Sequence, residues 1–326
     1  MIAANYSLAE ANYNLGLCLY NLDKYDEALT ALKEAARLKP DFANAHSYIG
    51  AVHYDKEEYA LAVTAYQTAL KLSPNATDWT YLGNSFDYLN RYNDAIAAYM
   101  KAIDLDPNKA GPHIEIGITH ARQQNHTAAI DSFKKAIALE PRNARAFAEM
   151  CNSLLDLDRD SEAVAACTRA VGFDPNYRGA LFDLGIGNYR LKNFAASASA
   201  YERYIALNPA NADAHYRLGL DYMELKRDAD AIKFLEKSIE LGIKKADPYY
   251  QLGYYRSEAA QYNEAIKLYK EAIKLDPKDV DAYLEMGNDY NRLKMWTEAM
   301  AAFNAALKLR ADSSNAHLGL GNSYYN

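Results

Sequence analysis

Glycine returns on a fixed beat through this chain of 326 residues, at Gly16, Gly50, Gly83, Gly117, Gly185, Gly219, Gly253, Gly287 and Gly321. The steps are 34, 33, 34 and 68, then 34 four times, and the step of 68 spans one missed beat at Cys151. Twelve residues after each beat stands a small residue: Ala28, Ala62, Ala95, Ala129, Ala163, Ser197, Ala231, Ala265 or Ala299. Twenty-four residues after most beats stands proline, at Pro40, Pro74, Pro107, Pro141, Pro175, Pro209 and Pro277. A period of this length over a whole chain marks an array in which each unit buries its apolar face only against its neighbours. It displaces the two compact domains that length alone would suggest.

Each unit reads as two helices. In "ATDWTYLGNSFDYLNRY", Trp79, Leu82, Gly83 and Phe86 fall at i, i+3, i+4 and i+7, one helical stripe. In "NDAIAAYMKAIDLDP", Ala95, Ile96, Tyr99, Ala102 and Ile103 form a second stripe. Proline has no N–H to donate and closes the second helix. The glycine and alanine beats let two antiparallel helices approach closely, and the large side chains fill the space beside them.

The pattern W-x2-L-G-x2-F/Y, followed by A-x3-F/Y-x2-A and a closing P, resembles the tetratricopeptide repeat. The stretches Trp79 to Pro107 and Tyr249 to Pro277 carry it most fully. The resemblance implies an all-α, right-handed superhelical α-solenoid of antiparallel helix pairs. On it we expect a lead-in over 1–8 and nine repeats over 9–313, starting at 9, 43, 76, 110, 144, 178, 212, 246 and 280. Residues 314–326 would supply the first helix of a tenth. A fold of this kind is put to many uses, so function has to be argued from its surfaces.

Composition closes some routes. With 36 Lys and Arg against 43 Asp and Glu the net charge is −7, without the basic stripe that a general nucleic-acid binder needs. The balance is −5 over residues 1–109, zero over 110–211 and −2 over 212–326. No apolar run has the ~18 residues of a membrane span. The start, "MIAANYSLAE", lacks a basic n-region and an apolar h-region. The expected compartment is therefore the cytoplasm, or an exported one if the chain is a processed piece. Three sequons, at Asn5, Asn75 and Asn125, are expected by chance in so asparagine-rich a sequence.

The cysteines, Cys18, Cys151 and Cys167, are too few for a disulfide framework. Cys151 and Cys167 fall at core positions on the two helices of one unit, and buried inert thiols are expected. Ser197 and Tyr204 also break the small-residue pattern, and compensated packing is expected of them. Where one unit lacks its proline, Gly242 is expected to cap the helix and Pro248 to open the next. His46 and His53, and likewise His113 and His120, are seven residues apart, or about 10.5 Å along a helix, too far for a two-histidine metal site. These four, with His215 and His317, stand at aromatic packing positions. No catalytic arrangement or cofactor motif stands out, so no enzyme is expected. The Gly319-Leu320-Gly321 run follows no strand and is no phosphate loop. Gly321 is expected at a helix contact and Gly319 outward and incidental.

In the family the first helices line a concave groove. Counting from each start, positions 2, 5, 9, 12 and 13 share one face. It carries Tyr13, Tyr20, Tyr54, Tyr88, Phe182, Tyr189, Tyr216, Tyr250 and Tyr254, with Asn84, Asn152, Asn288, Arg122, Arg145, Arg190 and Arg292. Tyrosine offers apolar area at low entropy cost, and asparagine pairs with peptide backbone. The expected partner is a peptide or helical segment of another protein. Some relatives hold chaperone C-termini through a Lys-x3-Asn clamp at positions 5 and 9. Here those positions read Tyr13/Leu17, Ser47/Ala51, Thr80/Asn84 and Ile114/Ile118, without the clamp. A second expectation is end-to-end stacking of copies through Leu320 and Tyr324 in the last helix. A third is an interaction domain of a larger protein.

Overall fold

The computed structural model describes the backbone of residues 2–325 and the side chains of residues 7–325. Among the described residues there are 19 α-helices and no strand. The chain divides into two compact units, Met1–Ala180 and Leu181–Asn326. The first holds α1 (Ile2–Asn21), α2 (Tyr25–Leu38), α3 (Ala43–Asp55), α4 (Tyr59–Leu72), α5 (Ala76–Tyr88), α6 (Tyr92–Leu105), α7 (Ala110–Arg122), α8 (His126–Leu139), α9 (Ala144–Asp156) and α10 (Asp160–Phe173). The division falls inside α11 (Arg178–Arg190). The second unit continues with α12 (Phe194–Leu207), α13 (Ala212–Glu224), α14 (Asp228–Glu240), α15 (Asp247–Glu258), α16 (Tyr262–Leu275), α17 (Val280–Arg292), α18 (Trp296–Leu309) and α19 (Ser314–Tyr325). Because α1 starts at Ile2, the expected lead-in is itself helical.

All helix pairs but α9/α10 are locked at the glycine beat. A Cβ added to Gly83 would lie 2.4 Å from the ring of Tyr99, and one on Gly117 would lie 2.4 Å from Phe133. The ring sixteen residues on fills the hollow that the glycine leaves, and Tyr66, Tyr99, Tyr201, Tyr269, Phe133 and Phe303 are the largest fully buried side chains. Prolines or C-cap residues end the second helices. Asn75, Asn125, Asn143, Asn211 and Asp279 start helices by accepting the backbone N–H three residues on, at 2.8–3.2 Å. Two sequon asparagines, Asn75 and Asn125, are thus helix caps. The side chain of the third, Asn5, lies outside the described residues. The turn inside each pair passes through one left-handed residue, from Asp23 to Lys294, with φ between 54 and 60°.

Two expectations of the sequence need correction. Cys151 and Cys167 are bonded, with Cα atoms 5.4 Å apart and a sequence separation of 16. That is the spacing of Gly83 to Tyr99. In this one pair the glycine and its ring are both replaced, so the two sulfurs meet across the hollow. At the other end, Gly319 is buried, and a Cβ on it would lie 2.3 Å from Phe303. It is the contact between α19 and the preceding pair, whereas Gly321 faces open space. The remaining departures are accommodated. Ser197 is fully buried, 2.9 Å from the Gly185 carbonyl and 2.8 Å from Asp221. Tyr204 packs 5.1 Å from the Phe182 ring and accepts bonds from Asn208 and Asn211. Gly242 takes φ +79° just past the C-cap Leu241, and Pro248 sits in the first turn of α15.

Successive first helices touch through the first unit and at the end of the second: α1 with α3, α3 with α5, α5 with α7 and α7 with α9, then α15 with α17 and α17 with α19. Among the described residues no contact of similar extent joins successive second helices. Elements that converge on one side and splay on the other make the first-helix face the inner one.

Candidate protein-interaction groove

On the inner face of the first unit, α1, α3 and α5 bring tyrosines together from three consecutive helix pairs. Tyr54 is the hub. Its ring lies 5.6 Å from Tyr59, 5.8 Å from Tyr81 and 5.8 Å from Tyr88, all edge-on. Tyr59 and Tyr88 stack at 4.5 Å and 3°. Tyr20 lies 5.9 Å from Tyr48, and Tyr66 stacks under Tyr81 at 5.9 Å. Edge-to-face and offset pairs of this kind hold the rings in place before any partner arrives. Tyr13 is packed away against Phe42 at 4.8 Å and Tyr48 at 5.8 Å.

The rings wall a cavity of about 580 Å³, lined by Tyr20, Tyr48, Tyr54, Tyr66 and Tyr81 with Asp55 and Asp78. Asn44, Ser47, Ala51 and Thr77 also line it. Tyr20 Oη donates to Asp55 at 2.6 Å, and Ser47 Oγ donates to Asp78 at 2.5 Å. Burial first, and then the bond to Asp55, push the Tyr20 phenol well above its ordinary range. Burial does the same for Tyr54 and Tyr66. These phenols stay neutral and keep their protons.

The arginines of the sequence-predicted groove serve otherwise. Arg122 is bound to the buried Asp87, which also accepts from Thr119 at 2.9 Å, and its guanidinium lies 5.5 Å from the Tyr88 ring. Arg145 makes two bonds to Glu115, at 2.7 and 3.2 Å. Arg292 donates to Ser257 at 2.8 Å and reaches Asp289 at 3.2 Å. Each ties one helix pair to the one before it. Asn84 accepts from Tyr99 Oη at 2.8 Å, so it too is part of the framework. Asn152 is exposed on α9 and Arg190 is exposed on α11.

The profile described as tetratricopeptide repeat matches residues 2–41, 13–77, 114–178 and 182–249. The chain belongs to the tetratricopeptide repeat family. A second profile of that description matches residues 281–313, and one described as TPR repeat matches 83–124 and 260–294. No curated protein matches the sequence significantly. Among solved structures, Pseudomonas aeruginosa pilF is 19% identical with a TM-score of 0.55, over 69% of this chain and 99% of its own. The APC/C hetero-tetramer Cut9–Hcn1 is 16% identical with a TM-score of 0.50, over 97% of this chain and 76% of the other. Both show the solenoid fold. YrrB, a TPR protein with an unusual peptide-binding site, is 24% identical over 55% of this chain and 93% of its own, with a TM-score of 0.49.

In the second unit the repeats place Phe182 under Tyr201 and Tyr204, at 5.5 and 5.1 Å, as core. Tyr189 packs on Phe194 at 5.4 Å, and Tyr216 Oη donates to Asp247 at 2.5 Å. Asn288 donates to Glu285 at 3.3 Å. Tyr250 and Tyr254 do meet, with Tyr255, Met223, Glu224 and Glu258, around a cavity of about 570 Å³. Sequence reasoning missed Tyr48, Tyr66, Tyr81, Asp55 and Asp78. Asp55 sits at position 13 of its repeat and was legible by counting. Tyr48 and Tyr81 sit at position 6, which points along the stack and reaches the cavity only because the repeats converge there. No group of three His, Cys, Asp or Glu residues able to hold a metal ion occurs among the described residues. No described helix is long and apolar enough to cross a membrane. His46, His215 and His317 share one role, with Nε2 3.3, 2.9 and 3.0 Å from the carbonyls of Pro40, Pro209 and Ala311. His317, expected as a packing residue, is exposed.

Proposed function

We propose that this tetratricopeptide protein is a non-enzymatic scaffold that holds an extended segment of a partner protein along the inner face of residues 1–180. The preformed tyrosine-walled cavity around Tyr54 carries the reading. Its volume suits one or two side chains, and Asn44, Ser47 and Thr77 on its rim can pair with peptide backbone. Rigid aromatic walls reduce the ordering cost of binding. Display of random 12-residue peptides against the full chain tests it. Peptides are expected that lose binding when Ala51→Trp fills the cavity, with the thermal melt unchanged. A selection whose peptides all ignore Ala51→Trp would remove the groove as the site.

A second reading is stacking of copies through end faces. It is supported by the exposure of Leu8 and Leu15 on α1, of Leu22 in the turn after it, and of Leu318 and Tyr324 on α19. Leu320, expected on that face, instead packs back against the core of the preceding repeat around Val280 and Phe303.

A further inference from the structure

We propose that the Tyr54 cavity takes the cationic side chain, lysine or arginine, of the bound segment; the proposal rests on the groove reading above. The first observation is a pair of carboxylates without a cation. Asp78 is 5% exposed, and its partners are the neutral Ser47 hydroxyl and the Asn75 amide, at 2.5 and 2.9 Å. The partner of Asp55 is the neutral Tyr20 phenol, at 2.6 Å. Neither forms an ion pair among the described residues, and no Lys, Arg or His lines the cavity. Lys56, next in sequence to Asp55, turns away to Asp26 at 2.7 Å and Glu58 at 3.4 Å. Several acids elsewhere on the first helices do have a cation. Asp87 has Arg122, Glu115 has Arg145, Asp213 has Arg217 and Lys245, and Asp289 has Arg292. A desolvated carboxylate is costly unless a cation compensates it. In this pair it is the buried Asp78 that is left to be compensated from outside, with the exposed Asp55 beside it.

The second observation is the Tyr66 hydroxyl. The side chain is 1% exposed, lines the cavity, and its oxygen has no hydrogen-bond partner among the described residues. A buried polar atom of this kind awaits a ligand group or a water. An ammonium or guanidinium N–H supplies a donor to the phenol oxygen and to the carboxylates at once. The third is the wall. The faces and edges of Tyr48, Tyr54 and Tyr81 offer the π-surface over which a desolvated cation is attracted. Negative charge, an unfilled acceptor and aromatic walls converge on one ligand chemistry. The net charge of −5 over residues 1–109 steers a basic segment toward it.

The experiment uses the cavity-dependent peptides from the display selection. They are expected to carry Lys or Arg at one fixed position. Replacing that Lys with norleucine, or that Arg with citrulline, is expected to weaken binding about tenfold or more, the scale of a charge-assisted hydrogen bond. Asp55→Asn, whose side chain is exposed and whose melt serves as the folding control, is expected to weaken binding similarly and to make the norleucine exchange nearly neutral. A scrambled peptide of equal charge is expected to bind far more weakly. Cavity-dependent peptides that bind within twofold after norleucine exchange and to Asp55→Asn would overturn the cationic pocket and leave the scaffold standing. Equal binding of the scrambled peptide would also overturn it, as general attraction to an acidic surface. Peptides indifferent to Ala51→Trp would instead remove the groove reading itself.

Discussion

Asp221 shows how much the fold imposes on one residue. It is fully buried, it takes its hydrogen bond from Ser197 at 2.8 Å, and its other oxygen has no partner among the described residues. Burial outweighs the attraction of Arg217 and pushes the carboxyl up to about 7. An unfolded aspartate ionises near ~4. Between these values the folded chain keeps a proton that the unfolded chain has lost, so stability falls as pH rises from about 4 to 7. Asp221→Asn keeps the shape without the charge. It is expected to raise the unfolding temperature at pH 8 and to lose the advantage near pH 4, with a difference of up to roughly 4 kcal/mol for three units. Equal melts of variant and parent at pH 8 would contradict this. The serine that replaces alanine at position 197 marks the site in sequence. That an aspartate from the next repeat meets it is visible only when the repeats stack.

Among elements, α9 and α10 are joined unlike any other pair. The Cys151–Cys167 bond occupies the place of the glycine and ring, and both sulfurs are fully buried. A covalent link across so short a loop stabilises by about 3 kcal/mol, chiefly by restricting the unfolded chain. Full reduction, verified by thiol mass labelling, is expected to lower the urea midpoint and raise amide exchange in α9 and α10. Exchange in α1 to α4 is expected to stay unchanged, because stability in an array passes between neighbours. Unaltered exchange in α9 and α10 after verified reduction would show that packing alone holds them. The expectation of inert thiols placed both cysteines in the core and failed on their direction. The spacing of sixteen, shared with every glycine and ring, was the signal. Gly319 failed for a related reason: the beat tells which face meets the partner helix in a pair, while the preceding pair covers a different one.

At the scale of the whole molecule, the exposed apolar side chains near both ends are the faces on which copies would meet. Leu318 is 67% exposed, Tyr324 72% and Tyr325 92%, while in the turn after α1 Leu22 is 67% exposed. If these faces stack, the contact is head-to-tail and propagates. Light scattering would then show a mass that rises with concentration, and Tyr324→Lys is expected to lower it. A single mass near 36.5 kDa at every concentration removes that reading. The 34-residue beat determined on its own the helix pairs and the packing glycines and alanines, since close helix approach demands small residues at a fixed spacing. It also marked a tyrosine-rich inner face. Only the tertiary structure decided which of those side chains are available. Stacking neutralises Arg122 and Arg145 against acids about one repeat away in sequence, ties Arg292 to Ser257 of the preceding repeat and spends Asn84 on a buried phenol. It leaves Asp55 and Asp78 among tyrosines without a cation, because pairing across repeats depends on which residues the stack brings within hydrogen-bond reach.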